Sequence, residues 1–473
     1  MADPLSKSYR ALLVSDLDWT MVDHADVTHD ALCRFDRLWA SEMSSDSLLV
    51  FSTGRSPELF AELAAEVPLL RPDVLVCSVG TEILVAGEPL RAWEAHLDGG
   101  GWDRARALAA AGRVEGLEPQ RASEQRPHKI SFKVRGKDGW DKDETVRQLE
   151  QTLRKELAAT PKDKSDASDG EARKDDDDKS DATAGEPHGR GSSEAAAGGA
   201  PSSPPSSVWY RVVYSGGEDL DILPSRASKG HALAFLLDQL EARSGHRPAA
   251  LASGDSGNDV ELFRVPGVFG CAVANAHPEL VDFCERNPSD HIVRASRRCA
   301  GGIVEALEAK GLLSHAEPRP ETVHRRRMLV SLLQQLDDWR SGGRERRSQE
   351  AKNALLALID DDEFSIRTET PNPAASASAP PLALPALDAK RGLAAELERL
   401  PPAPGAPPAV LRTWIDGIEE TASAPGEWTL ACRATAQAFG PGATPDRATA
   451  RLAATLRELG NDQYLFTRLR FEA

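Results

Sequence analysis

The stretch Ala11-Leu12-Leu13-Val14-Ser15-Asp16-Leu17-Asp18-Trp19-Thr20 decides the fold. Its first five residues form an uncharged run that stops abruptly at a carboxylate. A short apolar run without alternation is the pattern of a parallel strand buried on both faces. Asp16 then falls at the strand's carboxyl end, where open α/β sheets gather their ligands. Outward from here, helical spacing covers residues 31–43. A second apolar run, residues 48–52, leads into Thr53-Gly54-Arg55. A helix from Pro57 to Glu66 follows, with proline in its first turn, where that residue is well placed. A third run, residues 74–79, ends at Gly80. Alternating strands and helices predict an α/β fold with a Rossmann-like parallel sheet.

The rhythm then changes. Between residues 81 and 224 come two-faced segments such as KISFKV (129–134) and VWYRVVYS (208–215), which predict an antiparallel sheet open on one face. The α/β pattern returns after Lys229, with strands at 249–252 and 268–274 and helices near Val260 and Glu279. The expected organisation is a core of residues 1–80 and 225–313 with an α+β domain, 81–224, inserted into it. Residues 160–207 are rich in Asp, Ser, Ala, Gly and Lys. They hold too little apolar surface to fold and are expected to be disordered. Beyond the core, Met328, Leu329, Leu332, Leu333, Leu336 and Trp339 lie on one face of a helix over residues 323–340. Residues 314–409 read as that helix plus a Pro/Ala-rich linker. Residues 410–473 read as a small α+β region of mixed strand and helix patterning.

Composition narrows the function. The net charge of −17 disfavours nucleic acid and anionic membranes as partners. Six dispersed cysteines without a C-x-x-C pair indicate neither a zinc site nor a disulfide framework, and fit a reducing compartment. No apolar run reaches membrane-span length, and the first ten residues lack a signal-peptide core, so a cytoplasmic protein is expected.

Four clusters carry chemistry, each at a strand end or a helix start. Asp16 and Asp18 can divide labour, one attacking phosphorus and the other handling protons. Alone, D-x-D is a weak signal and reads rather as a loop that caps the next helix. Thr53, Gly54 and Arg55 offer a hydroxyl, free backbone N–H groups and a helix N-terminus to phosphate oxygens. Lys229 opens a helix and can offset phosphoryl charge, although a single lysine is usually a solvated surface charge. Gly254-Asp255-Ser256-Gly257-Asn258-Asp259 follows a strand and supplies hard oxygen ligands suited to Mg²⁺ together with Asp16.

In this order, D-x-D-x-T, T-G-R, K-G and G-D-x-x-N-D resemble the haloacid-dehalogenase superfamily of phosphatases, with the insertion in the place of a C2-type cap. The runs SDLDWTMVDH, SLLVFSTGRSPELF, SVGTEI, EQRPHKISF, VYSGGEDLDILP, ASGDSGNDVELF and RCAGGI further resemble plant-type sucrose-phosphate phosphatase. That resemblance implies Mg²⁺-dependent hydrolysis of sucrose 6F-phosphate through an aspartyl-phosphate, as the last step of sucrose synthesis. It implies Asp16 as nucleophile, Asp18 as acid/base and Lys229 as phosphate-binding lysine. Asp255 and Asp259 would complete the metal site with Asp16 and the Asp18 backbone carbonyl. Thr53, Gly54 and Asn258 would hold phosphate. Trp19 stands at the variable position of the first motif.

A site built to bond sugar hydroxyls needs dense polar groups. Glu82, Arg126, His128, Lys129, Asp219 and Asp221 are the candidates, each with a structural alternative: a hinge carboxylate, a satisfied histidine, a strand cap. The resemblance also implies association with sucrose-phosphate synthase. It implies a C-terminal fold similar to nuclear transport factor 2, carried by residues 414–437. Two rivals remain open: a phosphatase of the same fold acting on another sugar phosphate, and a non-catalytic partner of the synthase.

Overall fold

The computed structural model describes residues 3–135, 142–158, 209–215, 218–313, 321–341, 349–360, 364–368, 387–388, 410–439, 447–460 and 463–472. The tract at 160–207, expected to be disordered, lies outside the described residues.

The opening run forms β1 (Ala11–Ser15), with every residue buried. It pairs in parallel with β2 (Ser47–Ser52) on one side and β10 (Ala249–Gly254) on the other. The parallel series extends through β3 (Val74–Cys77) at one end, and through β11 (Val268–Ala272) and β12 (Ile292–Arg294) at the other. Two antiparallel strands, β4 (Glu82–Val85) and β5 (Glu88–Pro89), finish the edge beyond β3. The order is β12-β11-β10-β1-β2-β3-β4-β5.

Period-two alternation sends successive side chains to opposite faces, and both faces are packed. Leu12, Val14, Leu48 and Val50 meet Leu233, Leu236 and Leu240 of α6 (Lys229–Ser244). Ala11, Leu13, Leu49 and Phe51 meet Phe35 of α1 (Asp30–Leu38), Leu63 of α2 (Pro57–Glu66) and Ile303 of α9 (Cys299–Ala309). β1 is therefore central in a two-sided core, and its carboxyl end is a fixed point.

The insertion carries α3 (Arg91–Asp98), α4 (Arg104–Ala111), α5 (Lys142–Ala158) and a second sheet in the order β6-β7-β9-β8. Its strands are β6 (Leu117–Pro119), β7 (Ile130–Val134), β8 (Tyr210–Ser215) and β9 (Asp219–Pro224), all antiparallel. Ile130, Phe132, Val134, Leu220 and Ile222 pack against Ala107, Leu149 and Leu153 of the helices. By the same alternation, Ser131, Lys133, Asp219 and Asp221 occupy the other face. The chain leaves the core at Gly80, whose φ of +82° only glycine adopts freely. A Cβ there would lie 2.3 Å from the Ser228 carbonyl, just before α6, so the crossing point admits no side chain.

The C-terminal part differs from its expected pattern. Residues 410–473 form strands alone among the described residues: β15 (Val410–Ala424), β16 (Glu427–Phe439), β17 (Arg447–Gly460) and β18 (Gln463–Glu472). The helices that cover this sheet come from upstream, as α10 (Glu321–Ser341) and α11 (Gln349–Ala357). The stripe Leu329, Leu332, Leu333, Leu336 and Trp339 is buried with Leu430, Leu452, Phe466 and Phe471. Part of the stretch read as linker folds too: β13 (Ser365–Thr368) pairs in parallel with β18, and β14 (Leu387–Asp388) pairs with β13. Leu355 of α11 and Ile366 of β13 complete this core, a contribution hidden in the sequence by the surrounding Pro and Ala.

This sheet and α10 dock on the core at α1, α2 and the turn Trp39–Met43 that follows α1. Arg412 pairs with Asp30, Arg327 with Glu42, and Arg447 donates to the Ala64 and Val67 carbonyls. Asp36 of α1 is buried there, and neither carboxylate oxygen has a partner among the described residues. Burial pushes its carboxyl well above the usual range; Asp416 adds to the shift and Arg37 opposes it. A carboxyl harder to ionise in the folded than in the unfolded chain lowers stability as pH rises through and above the ordinary carboxylate range. Asp36→Asn is therefore expected to raise stability near pH 8 by about 1–3 kcal/mol and to change little near pH 3.5. Thermal melts of both proteins across that range check this; an Asn variant no more stable than the parent at alkaline pH contradicts it.

Candidate active site

Asp16 sits where β1 ends, and its backbone N–H donates to the Ser253 carbonyl of β10 at 3.1 Å. The adjacent strand ends therefore converge. Asp255 follows β10, and Thr20 donates to its carboxylate at 3.1 Å. Asp259 completes the turn, one oxygen accepting from the Asp255 and Ser256 N–H groups, each at 3.1 Å. Gly254 is required here, since a Cβ would meet the Asp259 side chain at 2.3 Å. Carboxylate oxygens of Asp16, Asp255 and Asp259 lie within 4.8 Å of one another, and all three residues are buried. Lys229, in the first turn of α6, places Nζ 2.9 Å from Asp16 Oδ1 and 2.8 Å from Asp259 Oδ1.

Three buried carboxylates face a single buried ammonium, so the cluster is one-sided in charge. Burial pushes the Asp16 carboxyl well up; Lys229 opposes this, while Asp259 and Asp255 add to it. Burial, reinforced by Asp259, pushes Asp255 up to about 6. Burial works against the Lys229 charge, but Asp16 and Asp259 outweigh it and its pKa is raised. A hard divalent cation fits this donor set: it accepts carboxylate oxygens and would relieve the surplus negative charge. Asp259 already uses both oxygens, which suits it to supporting the other two.

Asp18 stands apart from that cluster. Arg55 holds it bidentately, with Nε–Oδ2 and Nη2–Oδ1 both 2.7 Å, and His24 Nε2 lies 2.7 Å from Oδ1. Burial opposes its ionisation, but Arg55 and then His24 outweigh it and hold the carboxyl below its usual range. Arg55 was expected to serve phosphate; here its fork is occupied by Asp18. Thr53 is buried beside it, its N–H donating to the Val76 carbonyl and its hydroxyl accepting from the Arg55 N–H at 3.2 Å.

The cap forms the roof of a cavity of about 980 Å³ whose floor holds these groups. Lys129, Asp219, Asp221, Thr53, Gly54, Arg55 and Asn258 all line it. Lys129 is buried, with Nζ 2.8 Å from Glu124, 3.2 Å from the Gly54 carbonyl and 3.6 Å from Asp221. It thus ties the cap to the Thr53-Gly54-Arg55 loop. Burial works against its charge, but Asp221 and Glu124 outweigh it. Asp219 accepts from Gln120 Nε2 at 2.8 Å and pairs with Lys133 at 2.6 Å.

Three candidates lie elsewhere. Glu82, Arg126 and His128 are not among the residues lining this cavity; Glu82 and His128 line a neighbouring crevice beside α3. Arg126 grips Glu82 through Nε at 2.8 Å and Nη2 at 2.9 Å, and reaches Glu58 at 3.0 Å. His128 meets Asp98 at 2.8 Å. Glu82 thus lies at the hinge, held by Arg126, and His128 is hydrogen-bonded within the cap. Gln120, Glu124, Arg211, Tyr214 and Glu261 line the cavity without having been singled out. Arg211 of β8 pairs with Glu261 in α7 (Val260–Phe263), bridging roof and floor. Glu124 opens the run EQRPHK, so position in a distinctive motif was the available signal. Arg211 offered none, because a lone arginine on a two-faced strand reads as solvent-facing.

The family model described as Sucrose-6F-phosphate phosphohydrolase matches residues 9–161 and 206–309. Sucrose-phosphatase 1 of Nicotiana tabacum is 38% identical over 324 residues, covering 68% of this chain and 64% of that protein. Probable sucrose-phosphatase 2 of Arabidopsis thaliana is 36% identical over 365 residues, covering 74% of this chain and 73% of that protein. Among solved structures, the sucrose-phosphatase from Synechocystis sp. PCC6803 in complex with sucrose and phosphate is 27% identical. It covers 63% of this chain and 97% of that one, with a TM-score of 0.47. The chain therefore matches just under two thirds of the length of the tobacco relative.

Proposed function

Because the chain belongs to the sucrose-6F-phosphate phosphohydrolase family, we propose that it hydrolyses sucrose 6F-phosphate to sucrose and phosphate with Asp16 as the nucleophile. The observation that carries this reading is the single ammonium of Lys229 clasped between Asp16 and Asp259, beside Asp255, on the floor of a cavity roofed by polar cap residues.

Asp16 attacks phosphorus, the bond to the sugar oxygen breaks, and an aspartyl-phosphate forms; water then displaces Asp16 and releases phosphate. Lys229 holds Asp16 in place and offsets negative charge gathering on the phosphoryl oxygens. Thr53, Gly54 and Asn258 would hold those oxygens. Mg²⁺, held by Asp16, Asp255 and the Asp18 backbone carbonyl with Asp259 in support, would supply further charge neutralisation. Asp18 gives its proton to the leaving sugar oxygen and later takes one from water. Its pairing with Arg55 and His24 keeps it ionised, so proton donation requires that pairing to open once substrate occupies the cavity. Lys129, Asp219, Asp221, Gln120 and Glu124 face the sugar, where unpaired hydroxyl-binding groups penalise a wrong ligand.

The family resemblance adds association with sucrose-phosphate synthase and a place at the last step of sucrose synthesis to this reading; the dispersed cysteines add a reducing, cytoplasmic setting. Among the described residues no helix is long and apolar enough to cross a membrane.

A panel of sugar phosphates, assayed with Mg²⁺ and after chelation, tests the whole. Phosphate release is expected to be fastest from sucrose 6F-phosphate and to vanish with EDTA. Faster turnover of another sugar phosphate shifts the substrate assignment; activity unaffected by chelation removes the metal from it.

A further inference from the structure

We propose that Trp19 is a stacking platform for the sugar, a specificity-determining residue in the floor of the cavity. This rests on the sugar-phosphate reading above and adds a contact to it.

Three independent features converge on this side chain. Four large apolar side chains stand exposed among the described residues; Trp19, at 39%, is the one aromatic and the one that lines the cavity. An exposed indole forgoes a large burial gain, because aromatic rings contribute much of the apolar area in cores. Its backbone is also in the left-handed region, with φ 59°. A bulky L-residue adopts that region rarely, and such outliers persist only where neighbours over-determine them, commonly at functional sites.

The neighbours here do so. The Trp19 N–H donates to the Val22 carbonyl at 2.9 Å, Asn275 Nδ2 donates to the Trp19 carbonyl at 2.6 Å, and Cys299 Sγ reaches the same carbonyl at 3.2 Å. The ring is held edge-on by His24, with centroids 5.2 Å apart. The fold thus fixes an indole at the cavity, three residues beyond the nucleophile, against the preferences of both side chain and backbone.

The ligand chemistry follows. A furanose or pyranose ring is polar at its edges and presents C–H groups on its faces. Pockets for such ligands combine aromatic surface with a few placed polar groups. The cap supplies the polar groups, and Trp19 supplies the aromatic surface on the Asp16 side. The sugar ring that bears the phosphate is held next to Asp16 and is therefore the one within reach of the indole.

Kinetics on the Mg²⁺-loaded full chain test this with sucrose 6F-phosphate and with glycerol 3-phosphate, which has no ring to stack. Trp19→Ala is expected to raise KM for the sugar phosphate about tenfold, and to lose more kcat/KM on it than on the acyclic phosphate. Trp19→Phe should recover most of the loss. Trp19→Gly, freed of the positive-φ strain, should still show the raised KM, because relief of the backbone does not replace the ring. Titration with sucrose should quench tryptophan emission in wild type and not in Trp19→Phe. An active wild type whose Trp19→Ala variant keeps its KM, or loses equally on both phosphates, overturns this inference. A wild type inert towards sucrose 6F-phosphate overturns the reading beneath it instead.

Discussion

Asp16→Asn is expected to reduce phosphate release by more than about 10⁴-fold while leaving the fold intact. The amide has nearly the same shape as the carboxylate but cannot attack phosphorus or carry it as an acyl phosphate. Asp16 is buried among Lys229, Asp255 and Asp259, so the substitution also removes one negative charge from a cluster with too many. Burial and the neighbouring carboxylates already resist ionisation there. The Asn variant should therefore melt no lower than wild type in the absence of divalent metal, and gain less from added Mg²⁺. Steady-state phosphate release, with melts with and without Mg²⁺, checks both halves. Turnover within tenfold of wild type eliminates the nucleophile assignment. Collapse of the fold would mean instead that the pair with Lys229 is structural.

The core was legible because its strands are uninterrupted apolar runs that end on polar residues. Nothing but a strand end explains Asp16 after Leu12, Leu13 and Val14. Lys229 was legible only by its place in the order of motifs, since no local feature marks one lysine as buried. The cap residues divided for a geometric reason. Residues 126–129 form a tight turn, with Arg126 and Lys129 exchanging backbone hydrogen bonds of 3.0 and 3.2 Å. Across it, neighbouring side chains diverge: Lys129 enters the cavity, while Arg126 turns back to Glu82 and His128 to Asp98. A motif locates such a turn without saying which way each side chain leaves it. The C-terminal strands were obscured by composition. β16 and β17 together hold eight Ala, four Leu and four Arg, residues that favour helices. Cross-strand pairing and the burial of Leu430, Cys432, Ala434 and Ala436 on one face override that preference.

Lys229→Met keeps the length and apolar stem of the side chain and removes its charge. It isolates what the ammonium does. Lys229 is 1% exposed and touches both Asp16 and Asp259, so its loss leaves three buried carboxylates with only the exposed His277 ring, 3.7 Å from Asp255, near them among the described residues. Removing one partner of a buried ion pair costs about 3–5 kcal/mol, and the metal-free variant should melt well below wild type. Part of that loss should return with Mg²⁺, because a divalent cation meeting the same carboxylates no longer competes with an ammonium. The rise in melting temperature on adding Mg²⁺ should therefore be larger in the variant than in wild type. Turnover should not return with it. A charge aimed at the phosphoryl oxygens acts where negative charge develops, and its removal is expected to lower kcat by about 10³-fold at saturating Mg²⁺. The two readouts separate two roles. Restored stability with lost kcat places the ammonium on the reacting phosphoryl group. Full recovery of kcat with Mg²⁺ would reduce Lys229 to a counter-ion that keeps the cluster folded until metal arrives.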